Sequence, residues 1–82
     1  MNFENRAVGT TIKMLRKKKN LSQEVLSGLA GIARSHLTMI ENGTKQPNFE
    51  TIWKIANALE IEPHTLVKFI ETEIKNNFSD KP

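Results

Sequence analysis

The chain contains no cysteine, which removes disulfides and thiolate metal sites and suits a reducing cytosol. No stretch approaches the roughly 20 consecutive apolar residues of a membrane span. The opening MNFENRAVG lacks the apolar segment of a secretory signal, so a soluble, cytoplasmic chain is expected. Strand signals are weak: β-branched residues are scattered, and no alternating run is bounded by hairpin turns. No glycine-rich phosphate loop, nucleophile–base pairing or carboxylate cluster can be assembled, so an enzyme has no support and no cofactor is expected. His36 and His64 are isolated from each other and from any carboxylate pair, which argues against a metal site. Repeats, low-complexity tracts and linkers are absent too, and 82 residues fit one domain, 1–82.

What is present is helical spacing and an uneven charge. Apolar residues make up 38% of the chain, enough for a small core of modest stability. Residues 1–48 carry eight Lys/Arg against Glu4, Glu24 and Glu41, a balance of +5, whereas residues 49–82 carry four Lys against six acids, a balance of −2. The basic excess of the first half suits an anionic partner, although a merely solvated surface has the same composition.

Val8, Ile12 and Leu15 recur at i, i+4, i+7, with Lys13, Arg16, Lys17, Lys18 and Lys19 towards the C-terminal end of that first helix, where cations favour the dipole. Asn20 is its stop. Ser22 caps a second helix, with Glu24 in the first turn and Val25, Leu26, Leu29 and Ala30 as its buried stripe; Gly31 ends it. A third helix spans about 33–42 and stops at Asn42-Gly43. Asn48 caps a fourth, with Phe49, Ile52, Trp53, Ile55, Ala56 and Leu59 on its apolar side. Pro63 opens a fifth, about 63–77, carrying Leu66, Val67, Phe69, Ile70 and Ile74 and fraying before residues 79–82. Phe49 and Trp53, at helical spacing, are expected in the core. Five short helices with tight connections make a compact all-α domain.

Helices two and three are separated only by Gly31, Ile32 and Ala33, the turn length of a helix-turn-helix. Gly31 supplies a positive φ, and Ile32 plugs the core under the turn. At about 100° per residue, Ala33, Leu37 and Ile40 of GIARSHLTMIENG fall together towards the core. Ser35, Thr38, Met39 and Asn42 fall opposite, with Arg34 at the edge, and His36 and Glu41 flank the buried stripe. A polar outer face is ordinary for an amphipathic helix, yet this one suits a major groove. Arg bonds guanine N7 and O6 together, Ser and Thr donate or accept, and Met can touch a thymine methyl. Gln23, at the start of helix two, and the loop Asn42-Gly43-Thr44-Lys45 are placed to meet phosphate oxygens. His36 is read either as a half-buried ring or as a phosphate contact. The run Lys17-Lys18-Lys19 is either a solvated helix end or a sequence-blind attraction to phosphate.

SQEVLSGLAGIARSHLTMIENGTKQPNFETIWKIANAL, residues 22–59, resembles the helix-turn-helix domain of the lambdoid phage repressor and Cro family, and the preceding IKMLRKKKNL resembles that family's first helix. In length and in its extra C-terminal helix the chain is similar to the controller proteins of restriction–modification systems. The resemblance implies a lambda-repressor-like fold. It implies base reading by Arg34, Ser35, Thr38 and Met39, a phosphate grip at Gln23, and backbone contacts from Asn42, Thr44 and Lys45. It further implies a structural pair between Arg16 and Glu41. Ala33 departs from the family, many of whose members carry a polar residue there, so one contact is missing.

One small module buries limited DNA surface, and the family pairs on two half-sites about one helical turn, roughly 34 Å, apart. On helix five the ridge Leu66, Phe69, Ile70 and Ile74 is the expected homodimer interface, some of it packing on helices one and four and the rest needing another cover. Together these features point to a sequence-specific regulator of transcription binding double-stranded DNA, a repressor or a controller; contact with RNA polymerase is left open. The alternative is a protein-interaction module on the same fold, such as an antitoxin, using the acidic, apolar second half.

Overall fold

The computed structural model describes residues 3–78; the fraying expected of residues 79–82 lies outside them. Five helices follow in order: α1 (Asn5–Lys18), α2 (Gln23–Ala30), α3 (Arg34–Glu41), α4 (Phe49–Ala58) and α5 (Pro63–Asn77). There is no strand among the described residues. The boundaries follow local chemistry. The Ser22 hydroxyl accepts from Val25 N at 3.0 Å and the Asn48 side-chain Oδ1 from Thr51 N at 2.8 Å, each satisfying a first-turn amide that the helix cannot. Gly31, at φ 72°, closes α2 with its own N–H on Gly28 O and the Ile32 N–H on Ser27 O, a left-handed C-terminal cap. Asn20 ends the first helix at φ 59°, and Pro63 occupies the first turn of α5, where its missing N–H costs nothing.

α1 packs on α3 and α5, α2 on α3 and α4, and α4 on α5. Between them Ile12, Leu26, Leu37, Ile40, Ile55, Leu59 and Leu66 are fully buried, with Ile32 partly buried against them under the turn. The α1–α3 contact is close enough to demand glycine. A Cβ on Gly9 would fall 2.4 Å from the carbonyl oxygens of Ile40 and Glu41, far inside van der Waals contact.

Four expectations change. Ala33 is exposed, because it is the extended N-cap of α3 (φ −66°, ψ 144°) without a side-chain cap; helical-wheel directions do not apply to a residue outside the helix. Val25 and Leu29 are exposed, since the eight-residue α2 needs only Leu26 and Ala30 to meet its neighbours. Phe49 and Trp53 stand 73% and 49% exposed. The buried stripe of α4 is Ile52, Ile55, Ala56 and Leu59, and the two aromatics lie just beyond its edge, ring against ring in an edge-to-face pair at 5.9 Å. Finally, Leu66, Ile70 and Ile74 are buried by the chain's own helices. Of the ridge expected to form a dimer interface, Phe69 alone is open; Val67, outside that ridge, is open as well.

Candidate nucleic-acid interface

α3 is held from one side. Leu37 and Ile40 are fully buried, and Glu41 joins them as the only buried charge of the helix. The opposite side presents exposed Arg34, Ser35 and Met39 and half-buried Thr38; His36, also half-buried, flanks the anchored stripe. The wheel therefore placed the four base-facing candidates on one outward face, with Thr38 nearest the protein.

Beneath Thr38 lies a chain of hydrogen bonds. Arg16 of α1 donates from Nε to Glu41 Oε2 at 2.7 Å and from Nη2 to Glu41 Oε1 at 2.9 Å, with both side chains at least nine-tenths buried. Its third donor, Nη1, reaches Leu21 O at 2.8 Å and ties down the connection between α1 and α2. The Glu41 carboxylate raises the Arg16 guanidinium above its ordinary pKa, against the opposing effect of burial. Gln23, the first residue of α2, donates from Nε2 to Glu41 Oε1 at 3.0 Å. The Thr38 hydroxyl is 3.1 Å from Gln23 Oε1 and equally far from Arg34 O, one turn back. The pair expected between Arg16 and Glu41 is thus present. It reaches further than expected, because it also anchors Gln23 and, through it, Thr38.

After α3 the chain turns at Gly43, φ 82°. Asn42 Oδ1 accepts from the Thr44 N–H at 3.0 Å and from the Thr44 hydroxyl at 2.7 Å. The Thr44 and Lys45 amides both donate to Met39 O. Asn42, Thr44 and Lys45 are exposed on this braced loop, while Gln23 is half-buried at the start of α2. Arg6, which the sequence did not single out, packs its stem against Gly43. Its guanidinium is bound to Glu4 at 3.2 Å and lies over the Phe78 ring at 5.1 Å. Arg6 therefore clasps the start of α1 to the end of α5 rather than standing as a free cation; separations of 37 and 72 residues left no local signal for it. Lys19 pairs with Glu60 at 2.9 Å, which ties that end of the lysine run to the α4–α5 turn.

Among the described residues, no group of three or more His, Cys, Asp or Glu could hold a metal ion, and no helix is long and apolar enough to cross a membrane.

The helix-turn-helix family profile HTH_3 matches residues 12–66, from within α1 to within α5. The control protein C.BamHI of Bacillus amyloliquefaciens is 34% identical over 62 residues, covering 74% of this chain and 76% of its own length. The restriction–modification controller protein C.AhdI of Aeromonas hydrophila superposes with a TM-score of 0.73 at 39% identity, over 76% of this chain and 94% of its own. The controller protein C.Esp1396I, solved as a tetramer on its natural 35-base-pair operator, shares the fold at a TM-score of 0.82 and 22% identity, over 93% of this chain and all of its own. Two longer transcriptional regulators also match, and of their lengths the chain spans 39% and 35%. The chain belongs to the helix-turn-helix family.

Proposed function

We propose that the chain is a sequence-specific regulator of transcription that lays α3 in the major groove of double-stranded DNA and binds a palindromic operator as a homodimer. The observation that carries this reading is the division of α3 into an anchored face and an open one: Leu37, Ile40 and Glu41 fix it, leaving Arg34, Ser35, Thr38 and Met39 outward. A cation, two hydroxyls and a thioether, with no carboxylate among them, match the donors, acceptors and thymine methyls of a major groove. Gln23 on one flank and Asn42, Thr44 and Lys45 on the other suit phosphate oxygens, which set register without reading sequence. Gln23 has its carbonyl turned to Thr38, so what it offers outward is an N–H, the polarity an anionic phosphate requires. His36, on the boundary of the buried stripe, is assigned to phosphate rather than to a base. The match to controller proteins and transcriptional regulators supports the same reading and a non-enzymatic, cytoplasmic role as repressor or controller.

For the homodimer we propose a different surface from the buried ridge of α5. Phe49, Trp53 and Val67 are exposed apolar side chains on α4 and α5 that line one recess together with Pro63, His64 and Glu62. Burying that many large apolar groups against an identical patch is an isologous contact, and each fully buried side chain contributes about 1.5–3 kcal/mol. Sedimentation at micromolar protein should give a dimer that Trp53→Glu converts to monomer; monomer alone, with and without DNA, refutes the dimer.

Selection of bound sequences from a random DNA pool tests the central reading. A palindromic consensus is the expected result. No enrichment would overturn it in favour of a protein-interaction module, for which the same apolar surface would serve a different partner.

A further inference from the structure

We propose that Thr38 meets DNA solely as a hydrogen-bond acceptor, so that α3 selects a base with an exocyclic amino group, adenine or cytosine, where this hydroxyl reaches. The inference rests on the DNA-binding reading above and deepens it.

The polarity is set from the interior outward. Arg16 is charged throughout the physiological range and donates twice to Glu41. A carboxylate oxygen that receives these bonds is an acceptor. The Gln23 atom 3.0 Å from Glu41 Oε1 must therefore be the amide nitrogen, which removes the ambiguity that otherwise attaches to an amide's orientation. That choice turns Gln23 Oε1 towards Thr38, 3.1 Å away. A carbonyl oxygen only accepts, so the hydroxyl must give its proton. Its other inward neighbour, Arg34 O at 3.1 Å, is a carbonyl as well. Thr38 has one O–H and two acceptors competing for it on the protein side, and nothing inward donates to it. What remains for the groove is lone-pair density.

The base edges then divide cleanly. Adenine N6 and cytosine N4 offer N–H groups in the major groove, whereas guanine O6 and N7 and thymine O4 are acceptors. Facing an acceptor, Thr38 would either oppose two lone pairs or rotate its proton outward and lose the bond to Gln23 and Arg34. One such bond corresponds to about five-fold in binding.

The test uses the full chain. Random-pool selection with wild type, Thr38→Ala and Thr38→Val identifies the base pair whose preference depends on the hydroxyl; Val keeps the side-chain volume, so loss of packing is told apart from loss of the oxygen. Operators are then made in which that pair lacks its exocyclic amino group, purine replacing adenine or 2-pyrimidinone replacing cytosine. Wild type should bind these about five-fold more weakly, while Thr38→Val binds both operators alike, a coupling that isolates the one contact. Equal wild-type binding with and without the amino group overturns the proposal, as does a consensus that Thr38→Ala and Thr38→Val leave unchanged. If wild type enriches no sequence at all, the DNA-binding reading itself falls and takes this inference with it. A palindromic consensus with an amino-independent contact would leave that reading standing and refute the polarity alone.

Discussion

Glu41→Ala removes a carboxylate from beneath the reading helix and leaves in place the guanidinium that it neutralises. Three hydrogen bonds go: two charge-assisted ones from Arg16, at 2.7 and 2.9 Å, and one from Gln23 at 3.0 Å. Arg16 keeps its bond to Leu21 O, but its side chain is only 9% exposed, so water cannot simply take over the vacated donors. Breaking a buried pair from one side costs about 3–5 kcal/mol, most of it the penalty for the stranded charge. A domain of this length has a total stability of roughly 4–12 kcal/mol. The substitution therefore removes a large fraction of it, and the melting temperature should fall by roughly 15–30 °C.

Urea unfolding followed by far-ultraviolet circular dichroism reads this directly, as a lowered midpoint at unchanged slope. The exposed pair Lys19–Glu60 has the same kind of geometry, 2.9 Å, with side chains 40% and 80% exposed. Lys19→Ala should consequently cost only about 0–1 kcal/mol, and that contrast separates burial from distance as the cause. The double variant Arg16→Met with Glu41→Leu should recover much of the loss, because no unpaired charge remains. A Glu41→Ala cost below about 1 kcal/mol, the worth of one ordinary hydrogen bond, would refute the claim that the pair holds α1 to α3. A double variant as unstable as the single one would refute the stranded-charge explanation.

Arg34→Ala should weaken operator binding by about 1–3 kcal/mol and relax preference at one base position, read by competition between the consensus and its point variants. Lys45→Ala should instead weaken all sequences alike and lower the slope of log affinity against log salt by about one, measured by titration at several ionic strengths. The Glu4 carboxylate caps α1 by accepting from the Arg6 side chain and from Arg6 N, and these bonds hold its pKa below the ordinary 4.5. Because the folded value is the depressed one, the stabilisation is present above the unfolded pKa and is lost as pH falls through the folded one. Protection factors of the first-turn amides of α1, in which the intrinsic pH dependence of exchange cancels, should therefore fall on acidification below 4.5, and Glu4→Gln should flatten that dependence.

The helix limits were legible because the signals that set them are local. Ser22, Asn48, Gly31, Asn20 and Pro63 act within a few residues of themselves, and each does in the structure what its chemistry implies. Periodicity also gave the direction of each helical face. It did not give what covers that face: Phe49 and Trp53 lie just off the stripe of α4 and stay open, while Leu66, Ile70 and Ile74 are covered by the chain's own helices. Ala33 shows a second limit, since a cap residue leaves the helical wheel altogether. The outward positions of Arg34, Ser35 and Met39 followed from spacing alone. The link from Glu41 through Gln23 to Thr38 did not, because Gln23 and Thr38 lie 15 residues apart on two helices, and only their packing brings amide to hydroxyl. The glycine required at position 9 was hidden for the same reason, as its neighbours are carbonyls of α3.

The ion pair under α3 carries two roles that can be separated. For stability alone a hydrophobic pair of similar volume serves as well, since taking two charges out of water offsets much of what their attraction returns. A hydrophobic pair cannot, however, tell the Gln23 amide which way to face. With Glu41 replaced by Leu, the nitrogen loses the acceptor that held it, and either amide atom can turn towards Thr38. The hydroxyl could then receive a hydrogen bond from Gln23 and present its proton to the groove. On this reasoning the Arg16→Met, Glu41→Leu double variant folds, keeps the phosphate contacts of Asn42, Thr44 and Lys45 while weakening that of Gln23 alike on every sequence, and loses discrimination at the Thr38 base pair by up to the roughly five-fold that one hydrogen bond supplies. Stability and base preference measured on that one protein would therefore diverge, and if they moved together the orienting role assigned to Glu41 would be wrong.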